Sequence, residues 1–253
     1  MKKVLITGAS GGIGLETARQ LAAQGYRLTM VARNHDKLNK AVKSLAGAGH
    51  TVLAADLTNN EDLQKLVTHL KTEKYDILIN NAGAGIYGKF VELQLADQLA
   101  SMQLNMNALV TLTHGFLQNA KPGDALVNIG SLLAHSSLPG GAIYAATKSF
   151  VANFSESLWF EFKKKGIFVM GFNPGAANSD FHANAGGHAN DFPKFVMSSV
   201  EDVADELVKA LEKRRKPRVV QGWKNRFMLF GFKLLNRKSA INIMGQLSPG
   251  MKN

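Results

Sequence analysis

The sequence contains no cysteine, which excludes disulfides and any zinc site built on thiolates and suits a reducing compartment. Proline occurs six times and aromatic residues make up 8% of the 253 positions, while 45% are hydrophobic. That balance indicates a globular protein with a large core, within the size of one α/β domain. Long apolar runs are missing as well. Lys2 and Lys3 precede only a short apolar stretch before a glycine-rich loop, too short for a signal peptide or a membrane span, so the cytoplasm is the expected location. The seven histidines show no metal-ligand spacing, and no metal is expected.

Acid is missing from one region in particular. All nineteen acidic residues lie between Glu16 and Glu212, and residues 1–212 carry nineteen Lys and Arg that balance them. Residues 213–253 hold the other eleven basic residues and no acid, so the formal charge of +11 belongs to this tail.

From residue 3 to 175, short β-rich runs alternate with amphipathic stretches, the pattern of βα units around a parallel sheet. Candidate strands are Lys3–Thr7, Arg27–Arg33, Thr51–Leu57, Asp76–Gly83, Asp124–Ser131 and Ile167–Gly175, with the shorter Arg218–Gly222 as a candidate to close the sheet. Candidate helices are Ile13–Ala23, His35–Gly47, Asn60–Lys71, Asp97–Asn119, Tyr144–Lys165 and Val200–Lys213. The segment Ala176–Ser199, rich in Gly, Asn and His, reads as a mobile loop.

Two motifs carry chemistry. The first is TGASGGIG at Thr7–Gly14, between a strand and a helix. Gly8, Gly12 and Gly14 let the backbone turn tightly and approach a pyrophosphate, and the helix starting near Ile13 offers free N–H groups and positive dipole. The second is YAATK, which puts Tyr144 and Lys148 one helical turn apart, with Ser131 thirteen residues upstream. In this order and at these separations the chain resembles the short-chain dehydrogenase/reductase family, in its single-domain branch of about 250 residues. The resemblance runs from about Met1 to Leu211, beyond which the sequence departs from the family pattern.

The resemblance implies a doubly wound parallel α/β sheet of Rossmann type, strand order 3-2-1-4-5-6-7, spanning residues 1–253 with 213–253 as a basic, aromatic-rich extension. Tyr144 then acts as general acid/base, Lys148 tunes it and holds the nicotinamide ribose, and Ser131 hydrogen-bonds the substrate oxygen. A phenol ordinarily titrates near 10, and a nearby ammonium is expected to bring it down toward neutrality. Asn105 is the expected fourth member, holding a water that links the lysine to solvent; Asn107 is its rival. Asp56 and Leu57 are expected to flank the adenine, Asn81, Ala82 and Gly83 to lie under the cofactor, and Pro174, Ala177 and Ser179 to meet the nicotinamide end. Ser179 stands where the family usually has Thr.

Cofactor choice turns on the end of the second strand. An acid there would accept the ribose hydroxyls, but the strand ends VAR and the first acid is Asp36. Arg33 can pair with a 2′-phosphate and Ser10 can add a donor, so NADP(H) is expected over NAD(H). The competing reading of Arg33 is an ordinary surface arginine. Leu132, Leu133, Leu138, Ile143 and Phe181 suggest a hydrophobic carbonyl or alcohol substrate. His182 and His188 lie in the loop over the site, where solvated positions are the simpler expectation.

In the tail, Trp223, Phe227, Phe230 and Leu234 recur at helical spacing. Three readings stand: packing on the core or a subunit interface, which an enzyme of this size favours; peripheral contact of residues 213–238 with an anionic membrane; or binding of an anionic handle on the substrate. Nucleic-acid binding is not expected. The resulting expectation is an NADP(H)-dependent oxidoreductase interconverting a carbonyl and a secondary alcohol, with a homodimer or homotetramer implied by the family. Its rivals are a silent dinucleotide-sensing protein and a membrane-surface scaffold.

Overall fold

The computed structural model describes residues 1–186 and 197–251. Seven parallel strands form one sheet in the order β3-β2-β1-β4-β5-β6-β7. They are β1 Lys3–Thr7, β2 Arg27–Ala32, β3 Thr51–Ala54, β4 Ile77–Asn80, β5 Ala125–Ile129, β6 Phe168–Asn173 and β7 Arg218–Val220. The helices are α1 Gly12–Ala23, α2 His35–Val42, α3 Asn60–Thr72, α4 Leu95–Met102, α5 Leu109–Asn119, α6 Ala142–Lys163, α7 Phe181–Asn184, α8 Val200–Lys213, α9 Trp223–Leu234 and α10 Arg237–Leu247. Every expected strand and helix is present, with strands trimmed by up to three residues at either end and α2 ending at Val42 rather than Gly47.

Strands β1, β4, β5 and β6 are buried almost throughout, as strands of a parallel sheet covered on both faces must be. On one face Ala18 and Leu21 of α1, Leu38 of α2 and Leu207 and Leu211 of α8 pack over Val4, Ile6, Ile77 and Ile79. On the other, Leu63 and Leu66 of α3 and Leu112 and Phe116 of α5 pack over Leu5, Leu78 and Leu126. Each fully buried Leu or Ile contributes about 1.5–3 kcal/mol. Strand order reverses beside β1, whose Val4–Ile6 pair with Ile77–Ile79 of β4 on one side and Leu28–Met30 of β2 on the other. The crevice at the carboxyl ends of β1 and β4 is therefore the place where this architecture binds ligands.

The helix expected over Asp97–Asn119 is interrupted. Gln103–Ala108 forms a π-helical segment between α4 and α5, and such wide turns concentrate at functional positions. Within the described residues of Ala176–Ser199, α7 forms a short helix and Ala177 makes a parallel bridge to Ser198. His188 lies outside the described residues.

The tail corrects an expectation. Trp223, Phe227, Phe230 and Leu234 are not packed on the core; they are 68%, 72%, 62% and 74% exposed. The helix is anchored instead by its opposite side, where Asn225 is buried and donates to the Gln221 carbonyl at 2.8 Å. At 100° per residue, that anchor turns the aromatic stripe outward. Helix α10 had no counterpart among the expected elements. Among the described residues no helix is long and apolar enough to cross a membrane.

Candidate active site

The glycine loop joins β1 to α1. Gly8 has φ +65°, and a Cβ there would lie 2.8 Å from the Ala82 Cα, so both conformation and space require glycine. Thr7 ties the loop to the end of β4: its Oγ1 accepts from the amides of Asn81 and Ala82, both at 3.0 Å. Asn81 in turn donates from Nδ2 to the carbonyls of Thr7 and Gly8, at 3.0 and 3.1 Å. A Cβ on Gly14 would come within 2.5 Å of the Gly8 oxygen, so Gly14 packs beneath the loop.

Side chains of Asn34, Asn59, Ser199 and Asn236 cap α2, α3, α8 and α10. Helix α1 has no such cap at Gly11. Its first N–H groups and its positive dipole end face the crevice, which suits the pyrophosphate of a dinucleotide.

The reacting side chains come from three elements. Ser131, two residues beyond β5, caps the short 3₁₀ turn Leu132–His135 by accepting from the Leu133 amide at 3.2 Å. Tyr144 and Lys148 are in the first two turns of α6, both buried. Lys148 Nζ donates to the Ile129 carbonyl at 2.9 Å and lies 5.8 Å from the centre of the Tyr144 ring. Asn105, 1% exposed in the π segment, accepts from the Ala84 amide (2.9 Å) and donates to the Ala84 carbonyl (2.8 Å). It also donates to Thr147 Oγ1 at 3.2 Å. Asn107 is exposed and its side chain donates to Gln103 Oε1 at 2.7 Å, so Asn105 is the asparagine facing the site. Gly83 separates the two polar groups: a Cβ there would lie 3.0 Å from Asn105 Oδ1 and 3.3 Å from Lys148 Nζ.

Burial governs the electrostatics. It pushes Tyr144 up to about 12, against a hydrogen bond from Ser131 that acts the other way. Burial likewise lowers Lys148 to about 8. The expectation that Lys148 draws the phenol down toward neutrality is thus reversed in the protein alone, because loss of water around a phenolate outweighs its neighbours.

A cavity of about 560 Å³ brings most of the expected residues together. Gly8, Ser10, Gly12, Ile13, Asn81, Ala82 and Gly83 line it together with Ser131, Tyr144, Lys148, Pro174, Ala177 and Ser179, and Ser179 lies beside the glycine loop, where a Cβ on Gly12 would be 3.5 Å from its Cβ. Gly14 and Asn105 stand one layer behind. Arg33, Asp56 and Leu57 lie outside the lining, at the ends of β2 and β3. Burial raises the Asp56 carboxyl, but Thr58 hydrogen bonds and the Arg33 charge outweigh it and hold the group below its usual value.

Leu132, Leu133, Leu138 and Phe181 line the cavity as expected, whereas Ile143 does not. His182 is buried, contrary to the expectation of a solvated histidine. Helix α7 folds it back onto Tyr87, with the rings 6.3 Å apart and Nδ1 3.4 Å from the Tyr87 hydroxyl. Tyr87 stands edge-on to Tyr144 at 6.2 Å. Neither Tyr87 nor Lys37, both of which line the cavity, was signalled by a motif. The tail also contributes Met228, Met244, Leu247 and Pro249 to the wall.

The family model for short chain dehydrogenases matches residues 2–190. The chain belongs to the short-chain dehydrogenase family. It is 31% identical over 182 residues to serine 3-dehydrogenase of Agrobacterium fabrum, covering 70% of this chain and 73% of that one. Among solved structures, a short-chain dehydrogenase from Sphingobium yanoikuyae in complex with NADPH superposes with a TM-score of 0.81 at 32% identity, over 87% of each chain. The bulky-bulky ketone specific alcohol dehydrogenase of Comamonas testosteroni does so at 0.76 with 28% identity, over 92% of each. The protein is an oxidoreductase of this family, and its seven-stranded order is the family's fold.

Proposed function

We propose that the protein reduces an apolar ketone, or oxidises the matching secondary alcohol, with NADP(H), and that Tyr144, Lys148, Ser131 and Asn105 carry the reaction. The observation that supports this most is the meeting, in one cavity, of a buried Tyr144–Ser131–Lys148 set with the uncapped N-terminus of α1. The cofactor would be held by the Gly8–Ile13 loop, by Asn81–Gly83 and by Pro174, Ala177 and Ser179, and when bound it supplies the hydride. Tyr144, protonated at neutral pH, donates its proton to the carbonyl oxygen as the hydride reaches carbon, giving the alcohol. Ser131 donates a hydrogen bond to that oxygen and stabilises the charge developing there. Lys148, at about 8, is still mostly charged at neutral pH, which favours the phenolate left behind. Asn105, fixed by Ala84 and Thr147 next to Gly83, holds the loop against Lys148 and marks the route by which the phenolate is reprotonated.

The preference for NADP(H) rests on Arg33, whose charge is felt at Asp56, and on Lys37, which lines the same cavity as Ser10. An aspartate or glutamate at the end of β2 would oppose it, and none is there. The relative bound to NADPH agrees. Leu132, Leu138, Phe181, Met228 and Met244 give the substrate end its apolar character. Leu95, Leu99 and Phe160, exposed on α4 and α6, support a homodimer or homotetramer through that side.

Following NADPH oxidation with a panel of ketones tests the reading. Turnover is expected to rise with apolar bulk and to fall at least about tenfold with NADH, as loss of one charged phosphate contact predicts. Tight cofactor binding without turnover of any ketone would favour the dinucleotide-sensing alternative.

A further inference from the structure

Helix α9 and the turn into α10 carry two features that the oxidoreductase reading does not use. The first is the exposed stripe of Trp223, Phe227, Phe230 and Leu234. At 3.6 residues per turn these four fall within an arc of about 60°, bordered by Lys224 on one side and by Arg226 and Lys233 on the other. An aromatic stripe edged by cations is the pattern of a helix lying at a lipid–water boundary, with apolar rings among the acyl chains and ammonium groups among the phosphates. Arg226 is paired with Glu206 at 2.7 Å, whereas Lys224, Lys233 and Lys238 form no ion pair among the described residues.

The second feature is a separate cavity of about 540 Å³ beneath the same stripe, between α9, α10 and the 3₁₀ turn after β5. His135, Arg226, Lys233 and Arg237 line it with Phe230 and Leu235, and no acid does. Arg237 reaches the Ser137 hydroxyl at 3.0 Å. The Nε2 atom of His135 is buried with no partner there. Burial and then the charges of Arg218 and Lys233 hold that imidazole below its usual value, so the surroundings are positive. Size, sign and apolar rim fit the head of an anionic amphiphile.

We infer that the α9–α10 surface docks on an anionic phospholipid bilayer, with one headgroup phosphate seated in the cavity lined by Lys233 and Arg237. The occupant is set by charge complementarity: eleven basic residues and no acid follow Glu212, against a body in which the two signs balance. A neutral bilayer or another apolar protein face would leave Lys224, Lys233 and Lys238, which form no ion pair among the described residues, without counter-charge. The docking also places the substrate cavity, walled by Met228 of α9 and Met244 and Leu247 of α10, next to the membrane. It stands independently of whether the chain turns over a ketone.

Co-sedimentation with vesicles tests it on the full chain. Wild-type protein is expected to pellet with phosphatidylcholine vesicles containing about a third phosphatidylglycerol, and to be released in about 1 M salt, where the Debye length is about 3 Å. Pure phosphatidylcholine should bind it at least about tenfold more weakly. Phe227→Glu with Phe230→Glu should abolish pelleting while NADPH affinity is unchanged. Lys233→Ala with Arg237→Ala, and Lys224→Ala with Lys238→Ala, remove equal charge from inside and outside the cavity. At about fivefold per cation, the pair outside the cavity should cost about twenty-five-fold, and the cavity pair distinctly more. Equal losses overturn the headgroup seat. Failure of the wild type to pellet with anionic vesicles at low salt overturns the docking itself. So does dissociation of an oligomer by the Phe227/Phe230 change in a protein that ignores vesicles, since the stripe would then cover a second copy of the chain.

Discussion

Lys148 is a buried ammonium, and its cost to the fold can be measured. Burial lowers it to about 8 from 10.5. Below pH 8 both folded and unfolded chains carry the proton, and the folded state bears the full cost of the buried charge. Between pH 8 and 10.5 the unfolded chain binds the proton and the folded chain does not, so stability rises with pH across that window. Integrated from 8 to 9.5, the gain is about 2 kcal/mol, at 1.36 kcal/mol per pH unit. For a domain of this size that is about 4–8 °C in melting temperature. Tyr144, pushed up to about 12 from 10.0, acts in the opposite sense above pH 10 and so leaves this window clear. Lys148→Met removes the titration, although it also loses the bond to the Ile129 carbonyl. Denaturant unfolding of both proteins from pH 7 to 9.5 isolates the effect, because all other groups titrate in both. The wild type should gain about 2 kcal/mol on the variant. Parallel pH profiles would refute the claim that Lys148 is held charged against its surroundings.

Other substitutions probe separate parts of the site. Arg33→Asp should shift preference toward NAD(H), since losing a charge-assisted phosphate contact costs about 1.5–3 kcal/mol, tenfold to more than a hundredfold in affinity; equal wild-type affinity for the two cofactors would remove its basis. Gly14→Ala puts a Cβ 2.5 Å from the Gly8 oxygen, so it should lower stability by about 1–3 kcal/mol and weaken cofactor binding, both read by thermal melts with and without NADPH. Asn105→Ala strands the Ala84 amide at about 1–3 kcal/mol, while the Ala84 carbonyl keeps the Ser101 hydroxyl, whereas Asn107→Ala should stay within about 0.5 kcal/mol; the reverse ranking in melting temperature would overturn the assignment.

The sheet was legible because its strands are covered on both faces and read as continuous apolar runs, punctuated by glycine loops. The cavity residues were legible where a motif fixes them to strand ends, as for Gly8, Ser131 and Pro174. The choice between Asn105 and Asn107 was not, since it depends on a π turn that rotates one inward. Tyr87 and His182 escaped because their contact joins residues 95 positions apart. The exposed aromatic stripe ran against hydrophobic patterning, which reports that a helix has an apolar face and not what covers it. Only the burial of Asn225 reveals which way α9 turns.

The most direct test of the chemistry is Tyr144→Phe, assayed for NADPH oxidation with the best ketone and for NADPH affinity. The ring keeps its packing against Tyr87 and Phe181 and loses only the proton donor. The account predicts that the rate falls by about 10²–10⁴ while the dissociation constant for NADPH moves by less than about threefold. A variant that keeps more than a few per cent of the wild-type rate would contradict it.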